Sequence, residues 1–294
     1  MEIYKKIHSK IDKSIKYVFL SEDKLAIEAT YIDKDDGKNI ICLPTQTSCS
    51  IGCKFCHITD IAEGIKLRNI KSNEIVDMTH LIYNNLNLSL NPKTLLLSFM
   101  GCGEPILNSA NLVNAMTELQ EFYSEIPLIR FALATSIPYF AVHNFNQIVK
   151  GVKENNINLK IHLSLHYTDD ETREEWMPKS LNITDSISLL KYYQTQTGNK
   201  VEIHYTLIDG VNNKEENIEQ LILLLKGENI PIKFLFFNEK DINYHASPDS
   251  KNSKIINELT CNNIQVEYYL PPALDIGGSC GQLLKEYYIQ FNSK

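Results

Sequence analysis

From residue 94 onward, short apolar runs near 94–100, 128–134, 159–165, 201–207 and 231–237 alternate with segments whose apolar positions recur at helical spacing, near 109–123, 140–154, 184–196 and 214–227. A further helical stretch, 72–89, precedes the first of these runs. The short runs predict buried strands and the periodic segments amphipathic helices. Strands that alternate with helices form βαβ units on a parallel sheet. Counting 39–43 as the first strand gives six βα units, too few to close an eight-stranded barrel. The expected fold is therefore α/β, an open (β/α)6 partial TIM barrel with its functional loops at the carboxyl ends of the strands.

The ends of the chain read differently. Residues 25–32 and 39–43 flank Asp35-Asp36-Gly37-Lys38 and predict a hairpin. Residues 1–20, with Ile3, Ile7, Ile11 and Ile15 four apart, predict one amphipathic helix. Residues 248–262 read as a last helix and 264–270 as a seventh short strand. A tail follows, containing Gly277-Gly278-Ser279-Cys280-Gly281. The expected organisation is an N-terminal extension with the first hairpin strand, 1–37, followed by one core, 38–294, that ends in the cysteine loop.

Composition is ordinary for a globular protein, 43% hydrophobic and 22% charged, and the length suffices for one substantial core. No apolar run approaches the ~20 residues needed to cross a bilayer. The N-terminus lacks the apolar region of a signal peptide, so no membrane partner and a cytoplasmic location are expected. A formal net charge of −7 argues against a large nucleic-acid footprint, leaving Lys66, Arg68 and Lys71 as a local basic patch.

Cys49, Cys53 and Cys56 change the picture. Three thiols spaced four and three residues apart cannot pair among themselves without leaving one over, and in a reducing compartment they ligate metals. Structural zinc takes four closed ligands, and no second Cys-x-x-Cys exists here. Three cysteines on a 4Fe-4S cluster leave one iron open to a small molecule. The competing reading is a zinc knuckle completed by Cys42 or His57, and hence a zinc-stabilised, non-enzymatic binding protein.

Other polar groups fall where strands should end. Gly103 and Glu104 close the second strand of the alternation, where glycine lets backbone approach a ligand and a carboxylate can face an ammonium group. Ala134-Thr135-Ser136 close the third and Ser164-Leu165-His166 the fourth. Asn238 follows the sixth. Hydroxyls, an amide and an imidazole at successive strand ends suit ribose and adenine contacts.

Taken together, the C-x3-C-x2-C motif, Met100-Gly-Cys-Gly103-Glu104-Pro105, Ser164-Leu165-His166, Asp209-Gly-Val-Asn212 and Cys280-Gly281-Gln282-Leu283 resemble the RlmN/Cfr type of radical S-adenosylmethionine (SAM) RNA methyltransferases. The resemblance runs from about Leu25 to about Leu284. It implies methylation of carbon 2 or carbon 8 of adenine in ribosomal or transfer RNA, with a 4Fe-4S cluster and SAM as cofactors and an electron donor such as flavodoxin or ferredoxin. It further implies Cys49, Cys53 and Cys56 on the cluster, with Gly103 and Glu104 at the SAM amino group. Ser164, Leu165, His166 and Asn238 would line the SAM ribose and adenine. By the same resemblance Cys280 carries the methyl group and bridges to the substrate, Cys42 resolves that adduct, and Glu28 accepts the ring proton. Cys102 and Cys261 are left as packing residues.

An aromatic C–H carbon is a poor nucleophile, so a radical route that passes through a methylated cysteine avoids the barrier of direct transfer. Releasing the product then needs a second thiolate and a base. Two departures from the family pattern stand out. Family members carry an N-terminal accessory domain that helps engage RNA, whereas only 27 residues precede Glu28. A radical-SAM enzyme of this type acting on a non-ribosomal or non-RNA substrate is therefore the alternative. The third-strand motif, usually Ser-Thr-Ser-Gly, reads Ala134-Thr135-Ser136-Ile137, which implies that a SAM hydroxyl contact is lost or passes to Thr135 or Ser136.

Overall fold

In the computed structural model, which describes residues 1–34, 37–86, 93–240, 242–278 and 282–293, ten strands form one sheet in sequence order. They are β1 (Glu2–His8), β2 (Ile15–Leu20), β3 (Ala26–Lys34), β4 (Lys38–Cys42), β5 (Thr94–Phe99), β6 (Ile129–Thr135), β7 (Leu159–Ser164), β8 (Val201–Thr206), β9 (Ile232–Leu235) and β10 (Val266–Tyr269). β1 to β4 pair antiparallel and β4 to β10 parallel. Among the described residues no pairing joins β10 to β1, so the barrel is open.

The helices are α1 (Ser72–Asn85), α2 (Ser109–Phe122), α3 (Val142–Glu154), α4 (Asp170–Trp176), α5 (Ile183–Thr197), α6 (Glu215–Leu225), α7 (Asp249–Cys261) and α8 (Lys285–Asn292). They match the expected stretches except α4 and α8, which the apolar pattern does not announce. The hairpin of β3 and β4 is present, while its Asp35 and Asp36 lie outside the described residues.

Period-2 alternation separates core from site. Leu95, Leu97 and Phe99 on β5 join the main core, as do Phe131 and Leu133 on β6 and Ile161 and Leu163 on β7. Their alternates, Leu96, Ser98, Ala132, Ala134, His162 and Ser164, line the barrel interior. Each parallel strand thus packs under the helices with one face and builds cavity with the other.

The helix expected over residues 1–20 is instead the hairpin of β1 and β2. A spacing of four satisfies both the helical repeat and the strand repeat of two, so the isoleucines could not distinguish them. The β-branched and aromatic side chains of Ile15-Lys-Tyr-Val-Phe-Leu20 favour the strand, and all six residues are buried. Ile11, in the turn, is 64% exposed.

The basic patch is also revised. Arg68 forks onto Asp23 (Nε to Oδ2, 2.9 Å; Nη2 to Oδ1, 2.8 Å) and onto Glu74 (Nη1 to Oε2, 2.7 Å; Nη2 to Oε1, 2.8 Å). The guanidinium therefore ties the turn before β3 to the start of α1, with two carboxylates matching its charge.

Deeper in the barrel, His162 Nδ1 lies 2.9 Å and His204 Nε2 3.9 Å from Glu202 Oε2. These three side chains are grouped closely enough to share a metal ion, yet Glu202 also faces Lys160 at 2.9 Å and Lys233 at 3.1 Å, so protein cations already match its charge. Burial pushes His162 down to about 4 and His204 well below the usual imidazole range. Both imidazoles stay neutral when folded and take up protons when unfolded, so stability falls as pH drops below about 6.5. Replacing His204 with Asn, which cannot be protonated, is expected to remove about 2 kcal/mol of the stability lost between pH 7 and pH 5. Urea unfolding of both proteins at the two pH values measures this.

Candidate active site

A cavity of about 210 Å³ opens where the parallel strands end, and Cys49, Cys53 and Cys56 all face it from the loop after β4. The Cys56 N–H donates to the Cys53 carbonyl at 3.1 Å, closing a turn between the two cysteines. Lys240 Nζ donates to the Cys56 carbonyl at 3.2 Å, and Lys179 Nζ to the Ser50 carbonyl. Burial pushes the Cys49 thiol up to about 12 and raises those of Cys53 and Cys56, while Lys179 beside Cys49 and Lys240 beside Cys56 work the other way. Thiols so buried ionise readily only against a bound electrophilic centre. Three cysteines on one cavity, with ammonium groups against their loop, fit a thiolate-held cluster.

Glu104 sits beside them, fully buried on the loop after β5. Its carboxylate accepts from Thr135 Oγ1 (2.6 Å), Ser136 N (3.1 Å), Ser136 Oγ (3.1 Å) and Ile106 N (3.2 Å). Burial raises its pKa while these donors oppose the shift. Thr135 and Ser136 are thus committed to orienting Glu104. Gly103 is required by geometry: its φ is +105°, and a Cβ there would lie 2.7 Å from Gln46 N, Gln46 Cβ and Thr45 Oγ1. Gln46 Oε1 in turn accepts from the Glu104 N–H at 2.9 Å.

Ser164, His166 and Asn238 line the same cavity. The His166 ring, packed edge-on to Phe55, accepts at Nδ1 from the Thr206 N–H at 3.0 Å. Burial pushes its pKa down to about 3, so it presents a neutral imidazole. Asn212 holds this turn by donating to the carbonyls of His166 (2.7 Å) and Thr206 (2.6 Å). Leu165 is not brought to the cavity: its side chain belongs to the main core.

Cys42 and Glu28 reach the cavity from β4 and β3. Glu28 lies 2.6 Å from Lys16 Nζ of β2, and burial raises its carboxyl against the pull of that ammonium. Cys280 lies outside the described residues. Cys102 is buried and lines the cavity, as a packing residue would, whereas Cys261 at the end of α7 is exposed.

Two residues that sequence reasoning passed over shape the site. Lys16 is hidden by the misread N-terminal segment. Arg173 stands in the acidic run Asp169-Asp-Glu-Thr-Arg-Glu-Glu175, which reads as a solvated surface, yet it is 2% exposed. Its guanidinium donates to the carbonyls of Ser136 (3.1 Å), Ser164 (2.8 Å), Leu165 and Leu181 (3.2 Å). Arg173 therefore ties the ends of β6 and β7 together behind Glu104 and His166. A lysine, with one compact ammonium, cannot span four carbonyls. Arg173→Lys is expected to cost on the order of 3 kcal/mol in stability, read from urea unfolding, because buried carbonyls lose charged donors.

No protein-family model matches the chain. It is 30% identical to the dual-specificity RNA methyltransferase RlmN of Aliarcobacter butzleri (strain RM4018), over 96% of this chain and 80% of that protein. Among solved structures it superposes on a radical SAM methyltransferase from Sphaerobacter thermophilus with a TM-score of 0.81 and 21% identity, covering 96% of this chain and 80% of that one. It also superposes on Streptococcus suis SuiB bound to S-adenosylmethionine, with a TM-score of 0.54 and 16% identity over 78% of this chain and 51% of that one. These two establish the open barrel fold, and the near-full-length sequence match goes further: the chain belongs to the RlmN family of dual-specificity RNA methyltransferases.

Proposed function

We propose that this protein is a radical-SAM methyltransferase that methylates carbon 2 or carbon 8 of an adenine in RNA. The observation that carries the reading is that Cys49, Cys53 and Cys56, Glu104 and His166 after the strand ends, and Cys42 with Glu28 all line one cavity. Loaded with a 4Fe-4S cluster on the three cysteines and with SAM, the site gains a source of carbon radicals, the electron coming from a flavodoxin- or ferredoxin-type donor.

The chain's own residues take the remaining roles. Glu104, held by Thr135 and Ser136, faces the amino group of SAM beside the open backbone at Gly103. Ser164, the neutral His166 and Asn238 border its ribose and adenine, and the Leu165 position contributes backbone only. Cys280 takes a methyl group and bridges to the base. Glu28 accepts the ring proton, and a carboxyl whose affinity for protons is raised by burial suits that task. The Cys42 thiolate then attacks the Cys280 sulfur: the S–S bond forms as the S–CH2 bond breaks, the electron pair of that bond stays with the base, and its CH2 group takes up a proton to become the methyl group as the product leaves. Residues 1–37 act as an extension of the core defined by 38–294.

The RNA partner is recognised less by bulk charge than by access, since Arg68 is closed by carboxylates and an unstacked adenine enters a cavity most easily. Deleting the gene is expected to lower 2-methyladenosine or 8-methyladenosine in digested ribosomal or transfer RNA. Wild type restores the nucleoside and Cys280→Ala does not. Levels unchanged in every RNA fraction would overturn RNA adenine as the substrate.

A further inference from the structure

Beneath the cavity of the cysteines, the barrel interior continues into a second cavity of about 230 Å³. β6 gives this lower cavity Ala132 where the upper one has Ala134, and β7 gives it His162 where the upper one has Ser164. Cys42, Met100, His204 and Leu235 border both, so the two spaces adjoin. The cluster and SAM belong to the upper cavity, which leaves the base to be methylated without a place. The lower cavity suits a flat ring with a polar edge. Ile40, Leu96, Ala132 and Leu235 make its walls apolar, and His162 and His204 stand on it with ring centroids 4.3 Å apart. His204 is 5% exposed, and its Nε2 has no hydrogen-bond partner among the described residues, Glu202 Oε2 lying 3.9 Å away. A buried ring nitrogen left unpaired is costly unless a ligand completes it.

The lower cavity also has a charged border. Lys34 at the end of β3 and Tyr269 at the end of β10 both line it, both half-buried, with Lys34 Nζ 5.7 Å over the Tyr269 ring. β3 and β10 are not neighbours in the sheet, having β4 to β9 between them, so this contact spans the open side of the barrel. Lys233, by contrast, is held between Glu202 at 3.1 Å and Glu267 at 3.2 Å. Lys34 forms no ion pair among the described residues and rests on an aromatic face alone, which an ammonium gives up at little cost when a phosphate arrives.

We propose that the lower cavity is the substrate pocket, receiving an unstacked adenine of RNA through the open side of the barrel, with His204 at the polar edge of the base and Lys34 on a backbone phosphate. The inference rests on the reading of the protein as an RNA adenine methyltransferase and gives that reading its substrate site. The wall shared with the upper cavity sets the base beside Cys42, the thiol assigned to resolving the adduct. Tyr269, freed from Lys34, offers its ring to a base that flanks the adenine. A chain of net charge −7 then holds RNA by a cation at one mouth and by burial of one base, without a broad basic surface.

Fluorescence anisotropy of the reconstituted, SAM-loaded full-length protein, without reductant, tests this with labelled RNA heptamers: one central adenosine among uridines, and an all-uridine control. The adenosine heptamer is expected to bind about tenfold tighter than the control. Ala132→Phe fills the lower cavity and is expected to bring both heptamers to the control's affinity. SAM affinity should stay within twofold of wild type, since Ala132 does not border the upper cavity. Lys34→Gln is expected to weaken both heptamers alike and to reduce the steepness of log affinity against log salt by about 0.7. Should Ala132→Phe not fold, a heptamer with 8-azidoadenosine at its centre decides on the wild type, by crosslinking to peptides of β6 or β8. Equal binding of the two heptamers, discrimination that survives in folded Ala132→Phe, or crosslinks confined to other peptides would overturn the pocket. AMP that displaces the heptamer at equal concentration would make a free nucleotide the occupant and overturn RNA. An unchanged salt dependence in Lys34→Gln would overturn the phosphate contact. Discrimination intact in a protein that, once reduced, fails to cleave SAM to 5′-deoxyadenosine would instead overturn the proposed function and leave the pocket standing.

Discussion

A guanidinium is costly to remove from water, and this chain buries one at Arg173 with no carboxylate paired to it among the described residues. Four backbone carbonyls take its hydrogen bonds, and these belong to the turns that end β6 and β7 and to Leu181. Carbonyls at strand ends would otherwise need water, which a substrate cavity must exclude. The charge and the orphaned acceptors therefore solve each other's problem. Because the carbonyls of Ser136 and Ser164 are pinned from behind, their side chains and those of Glu104 and His166 are held toward the cavity.

The same economy recurs around the cysteines. Lys179 grips the Ser50 carbonyl of the cluster loop, while Lys240 divides its ammonium between the Cys56 carbonyl at 3.2 Å and the Asp60 carboxylate at 2.7 Å. Glu104 shows the converse: among the described residues its buried carboxylate is hydrogen-bonded by neutral donors, with no ion pair. Lys16 and Glu28 stand apart as an ion pair in which both members also hold backbone.

Much of this was legible in the sequence because the parallel strands keep strict alternation and the helices keep their own period. The strand ends could be located, and with them Glu104, Ser164, His166 and Asn238, while the cysteine spacing alone indicated a three-sulfur centre. Legibility failed where one pattern served two structures. Isoleucines four apart fit a helix or a strand, so β1 and β2 were misread and Lys16 was hidden with them. Arg173 gave no signal, since one arginine among acidic neighbours looks solvated until the fold turns it inward. Leu165 was drawn into the site by its place in a motif, although its side chain follows the alternation of β7 into the core.

Ile137 shows how far the site tolerates local strain. The family pattern has glycine at this position, and the backbone here keeps a left-handed conformation, φ +50°, with a buried β-branched side chain. Such a residue costs of order 1–3 kcal/mol. What offsets it is visible. The Ile137 N–H donates to Thr135 Oγ1 at 2.9 Å, its carbonyl accepts from Leu181 N at 2.8 Å, and its side chain joins the main core. The Thr135 hydroxyl that receives the Ile137 N–H is also the donor that orients Glu104. Relaxing Ile137 would therefore rotate the hydroxyl away from the carboxylate, so the strained turn is kept in place by the hydrogen bond that the site itself requires.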